Sequence, residues 1–222
     1  MKINIVLLFV ITCLSSCVGT KRFSKFVSEK CEPAIFKETN ITSNYIKFKV
    51  DNLSNQDTLV KIKRIKKQFI PAVLYWQYES TFECSIAPKA IASKICGYME
   101  SYAETVNLSQ KIDGRKIEIS IDKLPNSFVF TEKGYVIFLV FAYAAGGVEA
   151  IVPQNENLRI SYRIFQDNNE TQKGSITILN EDKPIKNFSN TMKRFTWKYL
   201  DNYDSNLNNL CEKAIDKLLI EL

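Results

Sequence analysis

Cysteine and carboxylate are the reactive side chains that stand out here, because the sequence holds six cysteines and no histidine. Without an imidazole, neither a Ser-His-Asp nor a Cys-His apparatus can be built. The Gly-X-Ser-X-Gly turn that presents a nucleophilic serine is also missing. Carboxylates could still act in pairs, as in glycoside hydrolysis. Glu79 and Glu83 fall on or near one expected strand, and Glu100 and Glu104 stand at i,i+4 on an expected helix. Such pairs are common on solvated faces, so a histidine-free hydrolase is the weakest functional reading. The cysteines show no CxxC spacing, which argues against zinc. Gly146-Gly147 permits a close backbone approach, but no phosphate-loop spacing surrounds it. Neither cofactor nor metal is expected, and no enzyme activity.

Cys17 has the most informative setting. Met1-Lys2 is a short positive start, and Ile3 to Leu14 is apolar except for Asn4 and Thr12. This run is too short for a ~30 Å hydrocarbon core, which needs about 20 helical residues, and it fits a secretory signal. Leu14-Ser15-Ser16-Cys17 resembles the lipobox of bacterial lipoproteins. That resemblance implies a diacylglyceryl group on the Cys17 thiol, cleavage just before it, and acylation of the new α-amine. An ordinary secretory signal, with Cys17 later in a disulfide, is the alternative. Val18-Gly19-Thr20-Lys21 contains no acidic residue. By resemblance to sorting rules in diderm bacteria, this disfavours inner-membrane retention and gives no support for Bacteroidota-type surface export. The expected location is the periplasmic leaflet of the outer membrane, with the membrane itself as a partner through the anchor.

Cys13 leaves with the signal, so Cys31, Cys84, Cys96 and Cys211 remain. In an oxidising compartment these four could form up to two disulfides, in any of three connectivities. Cys96 and Cys211 lie on apolar helical faces and equally suit a core as thiols. The net charge of +6 is spread along the chain; it suits an acidic lipid surface, but solubility alone explains it. No nucleic-acid partner is expected. Asp57-Thr58-Leu59 resembles the short O-glycosylation motif of Bacteroidota exported proteins.

The elements that must carry these residues follow from periodicity. Residues 17–44 read as the lipidated N-terminus and a polar tether, with a single domain over 45–222. Tyr45 to Val50 alternates as a half-buried strand. Leu59 to Gln68 reads as an edge strand with a basic solvent face. Pro71 introduces a strand to Cys84 in which Tyr75, Trp76 and Tyr78 either pack across strands or line a ligand groove. Pro88 opens a helix whose apolar stripe runs through Ile91, Ile95, Met99, Tyr102 and Val106. Ile117, Ile119 and Ile121 mark another strand, and Glu132-Lys133-Gly134 a tight turn. Tyr135 to Tyr143, apolar on both faces, reads as a central buried strand ended by the glycines. Leu158 to Phe165 and Ser175 to Leu179 form a hairpin turning at Asp167-Asn168-Asn169. A long helical region closes the chain, capped by Asn187 or Ser189 and interrupted near Asp204-Ser205.

This order implies an α+β domain: an antiparallel sheet with two helices packed on one face, after a signal peptide and tether. A similar element order occurs in small lipoproteins that serve as auxiliary parts of envelope transport systems, although order alone does not fix function. The leading expectation is a lipid-anchored, non-enzymatic component of an envelope complex, bound to a protein partner or lipid. A carbohydrate- or small-ligand-binding lipoprotein using Tyr75, Trp76 and Tyr78 is the second reading.

Overall fold

A computed structural model describes residues 20–31, 45–50, 53–71, 74–138 and 142–222. Cys17, the signal segment and residues 32–44 lie outside them. The fold is α+β, built on two sheets where the sequence implied one. The smaller sheet joins β1 (Ile46–Lys49), β4 (Lys116–Lys123), β7 (Leu158–Gln166) and β8 (Asn169–Ile178), in the order β1-β4-β7-β8. Here β1 runs parallel to β4, pairing Ile46 with Ile117 and Phe48 with Ile119, while the other pairs are antiparallel. Asp167 and Asn168 both take positive φ, 51° and 67°, which makes the two-residue turn between β7 and β8 compatible with strand twist.

The larger sheet has the order β2-β3-β5-β6-β9 and is antiparallel throughout. Its strands are β2 (Leu59–Ile70), β3 (Tyr75–Ser85), β5 (Ser127–Phe138), β6 (Tyr143–Pro153) and the short β9 (Ile185–Asn187). As its lysines suggest, β2 is an outer strand and is exposed along most of its length. Three expectations fail in this sheet. Glu132-Lys133-Gly134 is interior to β5, not a turn, and Tyr135 to Tyr143 spans the end of one strand and the start of another. Strand β6 also continues through Gly146-Gly147.

Among the described residues four helices accompany these sheets: α1 (Thr20–Cys31), α2 (Pro88–Thr105), the short α3 (Leu108–Lys111) and α4 (Met192–Glu221). With 30 residues, α4 is about 45 Å long, enough to serve both sheets. Its first half covers the larger sheet, where Tyr199 meets Phe128 at 4.9 Å and Phe195 meets Phe130 at 6.4 Å. Its last turns reach the smaller sheet, where Lys217 Nζ donates to the Thr177 carbonyl at 3.1 Å and Gln172 Nε2 to the Glu221 carbonyl at 2.8 Å. The cap is Thr191, whose hydroxyl accepts from the Arg194 N–H at 3.4 Å; Asn187 instead accepts from Asn190 N–H just before the helix. No break occurs at Asp204-Ser205. Asp204 ties α4 to α2 by accepting from Lys94 Nζ and Tyr98 Oη, each at 2.6 Å.

The tether expectation is corrected over α1. Phe23 and Val27 are fully buried, and Phe26 and Cys31 nearly so. Phe23 packs on Phe130 at 5.0 Å and on Phe82 at 6.1 Å, and Trp197 Nε1 donates to the Phe26 carbonyl at 2.9 Å. These residues recur at three- and four-residue spacing, so a segment polar on average still supplies a core face. Ser24 Oγ donates to the Thr58 carbonyl at 3.2 Å just before β2 begins, so α1 packs over the helix-covered half of the larger sheet. Phe23 sits by Phe130, whereas the Cys31 end lies toward Tyr203, whose hydroxyl donates to Pro125 before β5 begins.

Candidate functional site

The carboxylates single out no catalytic pair. Glu79 and Glu83, four residues apart on one strand, are separated by about 13 Å along it, beyond the range used by either class of glycosidase. Glu79 pairs with Lys133 Nζ at 3.2 Å, and Glu83 accepts from Gln154 Nε2 at 2.6 Å. Glu100 has its acidity weakened by burial and by the neighbouring Glu104 charge. The register opposes Glu132 to Glu149, a pair that local periodicity could not reveal. Burial raises the Glu132 pKa, against the Tyr78 hydroxyl that donates to it at 3.2 Å, and Glu149 accepts from Asn187 Nδ2. Each is held by a neighbouring strand, which is a structural use.

Cys31, Cys84, Cys96 and Cys211 are all buried. Cys84, Cys96 and Cys211 are free thiols, so no disulfide joins these three. Burial pushes the Cys96 thiol up to about 12, with help from the Glu100 charge, and pushes Cys84 and Cys211 upward as well. A thiol held in this way is neither nucleophile nor ready metal ligand. Among the described residues, no group of three or more His, Cys, Asp or Glu is placed to hold a metal. Thr58 is also buried, and its hydroxyl accepts from the Ala87 N–H at 3.1 Å, so it offers no exposed glycan site.

Tyr75, Trp76 and Tyr78 lie where β2–β3 and β5–β6 run side by side beyond the helices as an arm. Cross-strand rows share a face. Trp76 shares a row with Phe69, Val136 and Ala145, and the next row toward the tip holds Ile70, Tyr75, Ile137 and Ala144 on the opposite face. Tyr75 therefore points away from Trp76 and Tyr78, and the three do not line one cleft. Instead Trp76 packs on Phe69 at 6.3 Å, and Tyr75 stacks on Tyr135 at 6.3 Å across the other face. Tyr78 lies across Gly134, where a Cβ would come within 2.5 Å of its ring.

These rows make the arm's end apolar on both faces. Phe69, Leu74, Phe138 and Tyr143 are 53%, 50%, 43% and 65% exposed, a concentration of apolar surface far from the core. Over the next three rows toward the domain the chemistry becomes more polar, with Gln68 and Gln77, then Lys67, then Lys66, Glu79 and Lys133. Local periodicity alone places residues 135–143 of this apolar stretch in the sheet interior. The signal that could have located it is its repetition: an uncharged apolar run follows Lys67-Gln68 at 69–76 and Lys133-Gly134 at 135–145.

Comparison with protein-family models, with curated proteins and with solved structures finds no match to this chain.

Proposed function

We propose that the protein is a lipid-anchored component of the bacterial cell envelope that works by binding, not by catalysis. The carrying observation is Leu14-Ser15-Ser16-Cys17, set directly after a short basic start and an apolar run. A single acyl chain binds a bilayer marginally, whereas two or more hold stably, so acylation at Cys17 makes a permanent anchor. The outer membrane's periplasmic leaflet is its proposed site, and a protein of an envelope complex its proposed partner. The absence of histidine, the buried thiols and the strand-bound carboxylates support a non-enzymatic role. The arm, with exposed apolar residues at its end, supplies a surface for binding.

Replacing the cysteine tests this reading. Cys17→Ala moves the protein from the membrane pellet to the soluble fraction and abolishes labelling by radioactive fatty acid. Continued labelling of the variant, with retention in the pellet, contradicts it.

A further inference from the structure

We infer that the arm's end is a second membrane contact, which enters the headgroup–acyl boundary of an anionic bilayer. Three observations carry this. First, the apolar rows occupy both faces: Phe69 and Trp76 on one, Ile70 and Tyr75 on the other. A protein groove or a packed helix covers one face of a sheet; lipid surrounds both.

Second, the depth fits. From the Trp76 row to the row of Phe138 and Tyr143 the backbone rises about 7 Å at the spacing of a β-strand. That matches the roughly 5–10 Å to which interfacial elements sink and falls well short of a ~30 Å hydrocarbon core. The arm dips in and does not span. Its ring-rich composition also suits the interface, where Trp and Tyr are favoured.

Third, the charge is complementary. Behind the apolar end, Lys61, Lys63, Arg64, Lys66 and Lys67 line the exposed outer strand. Among the described residues, none of these five takes part in an ion pair. A basic side chain at an anionic surface contributes on the order of 1 kcal/mol. Lysines on the edge also discourage a second copy from adding a strand there. An acyl anchor at Cys17 would hold the protein close to one bilayer and so raise the arm's effective concentration there. That last point rests on the function proposed above; the first three do not.

Tryptophan fluorescence separates the two. The chain has two tryptophans, Trp76 in the arm and Trp197 on α4 against α1. The full-length protein isolated from membranes is reconstituted into vesicles of phosphatidylethanolamine and phosphatidylglycerol with brominated acyl chains, as Trp197→Phe and as Trp76→Phe. Trp76 is expected to shift to the blue and lose most of its emission to bromine, while Trp197 keeps its own. Phe69→Asp with Phe138→Asp, made in the Trp197→Phe protein, removes the quenching of Trp76; the same pair in the Trp76→Phe protein leaves Trp197 emission as the check on folding. Lys66→Glu with Lys67→Glu weakens quenching in anionic vesicles more than in phosphatidylcholine. Equal quenching of Trp76 with and without the aspartates overturns the inference. So does an unquenched Trp76 that crosslinks to a second copy. Protein that lacks acylation at Cys17 is read at excess lipid, where the arm's weaker contact still quenches Trp76, so failure of the anchor and failure of the arm are told apart.

Discussion

Burial sets the reactivity of the described cysteines. Cys84, Cys96 and Cys211 sit in the core with their pKa values raised, first by desolvation, so little thiolate exists at neutral pH. In the native protein at pH 8 these three should resist iodoacetamide, and all should react once urea unfolds the chain. Rapid native labelling of any of them, located by peptide mass, contradicts the core assignment. Asp204 gives a second prediction at this scale. It accepts from both Lys94 and Tyr98, joining α2 to α4. Hydrogen bonds to a charged group are worth about 1.5–3 kcal/mol when shielded and less when exposed. Asp204→Ala should therefore cost roughly 1–2 kcal/mol in urea denaturation, and an unchanged midpoint would contradict the link.

Helix α1 separates what is legible in sequence from what is not. Where one face is buried and the other wet, period alone suffices, as with Ile117, Ile119 and Ile121 or the stripe after Pro88. Helix α1 carries four core positions among lysines, serines and a glutamate, and its average polarity hides them. The arm errs the other way: two-faced apolarity reads as a central strand, although solvent-facing rows at the end of a hairpin produce the same pattern. Parallel pairing of β1 with β4, and the division into two sheets, depend on partners distant in sequence that local alternation does not encode. Among the candidate site residues, the aromatics were visible as types, but their assignment to opposite faces needed the register. Phe23→Ala tests the helix directly. Truncating a buried Phe typically costs about 3–5 kcal/mol, whereas a free tether would register no change in thermal unfolding.

At the scale of the molecule, burial of acidic side chains predicts an alkaline limit to stability. Cys84, Cys211, Tyr199 and Tyr203 all have pKa values raised by burial in the folded chain. The unfolded chain releases these protons near 8.5 for Cys and 10 for Tyr. A raised folded pKa contributes stability fully present below the unfolded value and lost as pH climbs toward the folded one. The urea midpoint should thus hold near pH 7–8 and fall steadily above about pH 9; a midpoint that rises from pH 8 to 10 contradicts this sign.

The proposed membrane attachment depends first on the chemistry of the mature N-terminus. Intact-mass analysis of protein extracted from native membranes reads that chemistry directly. The expected mass is a chain starting at Cys17 with a diacylglyceryl group and an amide-linked acyl chain. An unmodified N-terminus, or one that begins after Cys17, contradicts it.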